Sequence, residues 1–98
     1  MAGLAKSSGL ITATAAQAIA SGKCILSGVV VISDNTNVAT VTVYDNASAA
    51  SGTVLAKVTA TSTTGANSIA FVTPIQAQDG LTVAVTGTGS SGIVYYGA

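Results

Sequence analysis

Between Val38 and Asp45 the chain alternates, so that Ala39, Val41 and Val43 fall on one side of an extended backbone and Thr40, Thr42 and Tyr44 on the other. A period of two is the signature of a strand with one buried and one open face. The alternation returns where Leu81, Val83 and Val85 oppose Thr82, Ala84 and Thr86, after a turn at Asp79-Gly80. The two apolar sets are expected in the core. Turn formers recur along the rest of the chain, and Leu10–Thr14, Gly22–Ser33, Thr53–Thr61, Asn67–Val72 and Ile93–Tyr96 complete about seven short strands. Pro74 marks a break or an edge, because proline cannot donate to a ladder. The loops at 48–52, 62–65 and 87–92 are too short to be interdomain linkers.

This pattern predicts an all-β single domain, an antiparallel sandwich or barrel over residues 22–98, preceded by an N-terminal arm at residues 1–21. Within the arm, Thr12 to Ala20 is rich in alanine and stays open between helix, strand and extended segment. Met1 to Gly9 holds one lysine with no continuous apolar run after it, so it does not read as a signal peptide. The longest apolar stretch, Cys24 to Ile32, is interrupted by Ser27 and Gly28 and is too short for a membrane-spanning helix, which needs about 20 residues.

Gly22 to Ser33 breaks the one-sided rule. Strict alternation puts Ile25, Val29 and Val31 on one side and Leu26, Val30 and Ile32 on the other, so both faces are apolar. A strand of that kind is covered on both faces. In a domain of two layers the second cover is expected from another subunit.

Charge points the same way. The 98 residues contain three lysines, three aspartates and no histidine, where a soluble domain carries about a quarter charged residues. Zero net charge favours association. Lys6, Lys23 and Lys57 form no basic run, so nucleic-acid binding is not expected.

The chemical repertoire is correspondingly short. Without histidine no Ser-His-Asp or Cys-His constellation can be assembled, and the serines are hydroxyls without a base. Lys6 beside Ser7 and Ser8 has nothing to lower a lysine pKa. Asp34-Asn35, Asp45-Asn46 and Asp79-Gly80 fall at strand ends, where aspartate serves turns, and they lack the spacing of a calcium loop. Gly87 to Gly92 spells G-x-G-x-x-G but leads into a strand, whereas a dinucleotide site needs a helix there. Cys24 has no partner for a disulfide and sits among apolar neighbours, so it reads as an inert buried residue. No catalytic residue, cofactor site or metal site is expected. Tyr44 lies on the polar phase of its strand, and the adjacent Tyr95 and Tyr96 must point to opposite faces if extended. The side chains expected at an interface are Leu26, Val30, Ile32, Tyr44 and Tyr96.

Four segments taken in order carry a resemblance: Val41–Leu55 (VTVYDNASAASGTVL), Phe71–Ile75 (FVTPI), Asp79–Val83 (DGLTV) and Ile93–Tyr96 (IVYY). Over residues 22–98 this succession resembles small structural proteins of tailed bacteriophages. The resemblance implies a β-sandwich or jelly-roll-like fold and a decoration (cement) protein that trimerises on the outer capsid surface. It further implies synthesis in the host cytoplasm, a location in the virion, and as partners further copies of itself and the major capsid protein, with no nucleic acid and no membrane. It transfers no catalytic residues. The competing expectations are a carbohydrate- or receptor-binding module of a fibre or tail, with Tyr44 in contact, and a neck or tail component.

Overall fold

The computed structural model describes residues 6–97, and its secondary structure is strand throughout. The strands are β1 (Lys6–Ser7), β2 (Ile11–Thr12), β3 (Thr14–Ser21), β4 (Cys24–Ile32), β5 (Ala39–Asp45), β6 (Thr53–Ala60), β7 (Ala66–Ala77), β8 (Gly80–Thr86) and β9 (Ser91–Gly97). Pairing is antiparallel and nested. The hairpin of β5 with β6 lies at the centre, outside it β4 pairs with β7, then β3 with β8, and finally β1 and β2 with β9.

Rolling this long ribbon adds the pairs β4 with β9 and β5 with β8. Two sheets result: sheet A in the order β1-β9-β4-β7, with β2 also against β9, and sheet B in the order β3-β8-β5-β6. The molecule is a β-sandwich with the winding of a jelly roll.

The core lies between the sheets. Leu26, Val29, Val31 and Val94 of sheet A meet Val41, Val43, Leu81, Val83 and Val85 of sheet B, each at most 1% exposed. The alternation read at β5 and β8 thus places the expected side chains inside. Gly92 faces this core, and a Cβ there would sit 2.6 Å from Val41 Cγ2 and 3.1 Å from the Val30 carbonyl oxygen. Its missing side chain lets the sheets approach.

Two expectations change, and the strand expected at Asn67–Val72 is longer, with Pro74 at the expected edge. Over its described part, residues 6–21, the anticipated arm belongs to the sandwich: β1 and β2 extend sheet A, and the chain then crosses to sheet B as β3. Residues 1–5 lie outside the described residues. Alanine's helix preference in β3 is overridden by ladder bonds to β8, with register shifts that absorb its irregular pattern.

In β4 a register shift between Leu26 and Gly28, against both neighbours, inverts the phase. Leu26 therefore joins Val29 and Val31 inside, while Ile25, Val30 and Ile32 share the outer face. The strict alternation expected for this strand fails at that bulge. Finally, β7 runs through Pro74 as the edge of sheet A, and residues 71–74 bulge out opposite Ser27. Proline is tolerated there because no neighbour demands its missing N–H.

Candidate assembly surface

The outer face of sheet A is the surface that needs explaining. Cross-strand partners share a face, so the pairs of Val30 with Ser68 and Ile93, of Gly28 with Ala70 and Tyr95, and of Ile32 with Ala66 and Ser91 point outward together. Ile25, Val30, Ile32, Ile93 and Tyr95 are all half-buried there. Neither lysine nor aspartate occurs anywhere in β4, β7 or β9. Charge, scarce in the whole chain, is absent from the three longest strands of this sheet.

At the β4 bulge the face is hollow. A depression of about 330 Å³ is lined by Ser27, Gly28, Val30, Ser68, Ala70 and Tyr95. Gly28 creates it: a Cβ would lie 3.0 Å from the Ile69 carbonyl oxygen and 3.7 Å from Tyr95 Cδ2. A large ring thus stands beside a floor of small residues. In the middle of the same strand pair, opposite Ser27, Val72 in the β7 bulge is fully exposed, at 102%.

The outer face of sheet B differs. Thr40, Thr42 and Tyr44 of β5 stand beside Thr59 and Lys57 of β6 and Thr86 of β8. The Thr40 and Thr59 hydroxyls are 3.3 Å apart, and the buried Thr82 hydroxyl donates to the Asn46 carbonyl at 2.8 Å. This face carries threonines and Lys57, where sheet A's sets Ile25, Val30, Ile32 and Ile93 among serines without a charge.

The five side chains expected at an interface are therefore not brought together. Val30 and Ile32 lie on the outer face of sheet A, and Tyr44 lies on the opposite outer face. Leu26 is fully buried between the sheets, and Tyr96, paired with it, packs against the core. Leu26 offers no outer-face contact because the β4 bulge reverses the phase that strict alternation assigns it, and Tyr96 offers none because β9 alternates with Val94 and Tyr96 on the inner side. Tyr95, which the regular alternation of β9 turns outward with Ile93 while Gly92 and Val94 face the core, takes the place expected for Tyr96. Ile25 and Ile93 join it, and Ile25 could not be assigned a face without knowing where the bulge falls.

The titratable groups serve the fold. Asp34 Oδ1 accepts from the N–H groups of Thr36 at 2.9 Å and Asn37 at 2.8 Å, an Asx turn, and these backbone donors, Asn37 first, hold its carboxyl below the usual range. Asp45 acts at long range: its carboxylate accepts from Asp79 N at 2.8 Å and Gln78 N at 3.1 Å, fastening the turn between β7 and β8 to the end of β5. These donors, Asp79 first, lower its pKa. Its expected local turn role passes to Asn46, whose Oδ1 accepts from Ser48 and Ala49 at 2.9 Å.

Cys24 is buried, and desolvation followed by the Asp45 charge pushes its thiol pKa up. Among the described residues, no three His, Cys, Asp or Glu side chains are grouped to hold a metal, and every buried side-chain nitrogen or oxygen has a hydrogen-bond partner. A groove of about 520 Å³ opens where the chain crosses from β2 to β3, lined by Ser7, Ser8, Thr12, Gln17 and Tyr96 among others. It gathers hydroxyls and an amide but none of the charged side chains.

No protein-family model matches this chain, and no curated protein matches it in sequence.

Proposed function

We propose that this protein is a structural assembly component of a tailed bacteriophage virion, a non-enzymatic decoration protein that stabilises the capsid through contacts with its own copies and with the shell. The observation that supports the reading is the outer face of sheet A, apolar and uncharged across β4, β7 and β9. A face of that kind stays in water only at a cost, and large uncovered apolar patches mark interaction surfaces. Val72, fully exposed within the β7 bulge, offers a second apolar contact.

The jelly-roll winding is compatible with the reading without selecting it, since capsid and lectin domains share it. Repetition over a lattice makes individually weak contacts cumulative. A second reading, carbohydrate or receptor binding, draws on the hydroxyl-bearing groove at Tyr96 and on Tyr44 of sheet B.

The test is to mix the purified protein with expanded phage heads and image them. Density repeating at lattice symmetry axes supports decoration, and bare heads refute it. A glycan array with wild type and Tyr44→Ala separates the second reading, which requires sugar binding that the variant weakens.

A further inference from the structure

We infer that the outer face of sheet A is a two-fold interface with a second copy of this chain, in which Tyr95 of each copy enters the hollow over Gly28 of the other. The inference rests on the assembly reading above and names the occupant of that face.

Three observations single out a second copy. First, knob and hole are neighbours on one face: the Tyr95 ring borders a depression of about 330 Å³ floored by Gly28, Ser68 and Ala70. A two-fold contact makes residue i of one copy meet residue j of the other and the reverse, so one surface carrying both shapes satisfies itself. Second, with no lysine or aspartate in β4, β7 or β9, apposing two identical faces opposes no like charges.

Third, the area fits a weak dimer. The nine, twelve and seven residues of β4, β7 and β9, at about 3.3 Å along each strand and about 4.8 Å between strands, give about 440 Å² per copy. Two such faces bury about 890 Å², in the class of transient interfaces below about 1,200 Å².

Edge-to-edge pairing is the competing geometry, and the structure obstructs it. The Asn67 side chain accepts from Ser68 N at 2.9 Å and donates to the Thr59 carbonyl of β6 at 3.0 Å, which blocks one end of the β7 edge, and the bulge at residues 71–74 interrupts the rest. Among the other edges, β1 carries Lys6, β6 carries Lys57, and β3 is broken by register shifts.

The experiment is sedimentation equilibrium of the full chain at about 100 µM, a hundredfold above a micromolar Kd. Wild type is expected at twice the 9.4 kDa chain mass. Ala70→Leu fills the hollow and Val30→Lys sets two charges face to face, and each is expected to sediment as a folded monomer with cooperative unfolding. Tyr95→Ala weakens the dimer at least tenfold, while Thr86→Lys on sheet B leaves it intact. If Val30→Lys fails to fold, Ala70→Leu, which alters an exposed position, carries the test.

A monomeric wild type, a trimer, a dimer indifferent to Ala70→Leu, or one broken by Thr86→Lys overturns the inference. The two proposals fail separately. A dimer broken by Ala70→Leu that never binds heads retains this interface and removes the capsid reading, whereas head binding by a monomer does the reverse.

Discussion

Replacing Gly92 with alanine is expected to destabilise the sandwich by forcing its sheets apart. The new Cβ would lie 2.6 Å from Val41 Cγ2, about 1 Å inside the favourable carbon–carbon separation of about 3.5–4.0 Å. Val41 is fully buried and held in register with Val58 and Val85, so its methyl has no free volume to enter. Overpacking of this kind costs about 1–3 kcal/mol, offset by about 0.4–1 kcal/mol from a stiffer unfolded chain. A net loss of about 1–2 kcal/mol lowers the urea midpoint by about 0.5–1 M for a slope of about 2 kcal/mol/M.

Gly97→Ala is the control, because a Cβ there meets nothing within 4 Å. Val41→Ala removes the opposing methyl, so the double variant should recover at least about 0.5 kcal/mol relative to the sum of the singles. A Gly92→Ala midpoint within error of wild type, or strict additivity with Val41→Ala, would refute the close-approach argument.

Three further outcomes follow from the same contacts. Asp45 has a lowered folded pKa, so its contribution is present above the unfolded value of about 3.9 and is lost as pH falls through the folded value. Urea midpoints should therefore drop below about pH 4, with Asp45→Ala showing a lower plateau and a shallower acid limb, and equal limbs would contradict this. Cys24 should react with a thiol reagent only as fast as the protein unfolds, and labelling within the mixing time in native buffer would contradict its burial. Asn67→Ala removes a donor to Thr59 and an acceptor for Ser68, so we expect a loss of about 1–2 kcal/mol and faster aggregation by light scattering. No change in either would show that the amide does not guard the edge.

The fold was legible where side-chain period and backbone pairing agree. Ala39, Val41 and Val43 in β5, and Leu81, Val83 and Val85 in β8, lie inside as their alternation requires. The strand Cys24–Ile32 coincides with the longest apolar stretch, but its facing was not legible. A period-two rule counts residues, and the bulge before Gly28 inserts one that the rule cannot see. That single irregularity moved Leu26 off the candidate surface, whereas Tyr95 rather than Tyr96 faces outward because β9 alternates regularly with Gly92 and Val94 inside.

Residues 12–20 stay open in the sequence for another reason. Thr14–Ser21 has little strand character of its own and is held by β8, a partner remote in the chain. Asp45 fastens a turn thirty-three residues away, a contact that only the rolled ribbon creates. Local sequence could identify the turn residue but not the turn it serves.

The central claim is that the missing charge leaves sheet A's outer face for another protein surface. Residue-level carbene footprinting tests it most directly, comparing the protein alone at low concentration with the protein assembled on phage heads. We expect Ile25, Val30, Ile93 and Tyr95 to lose labelling on assembly while Thr40, Thr59 and Thr86 of sheet B keep theirs. Unchanged labelling of the sheet A residues in the assembled state would contradict it.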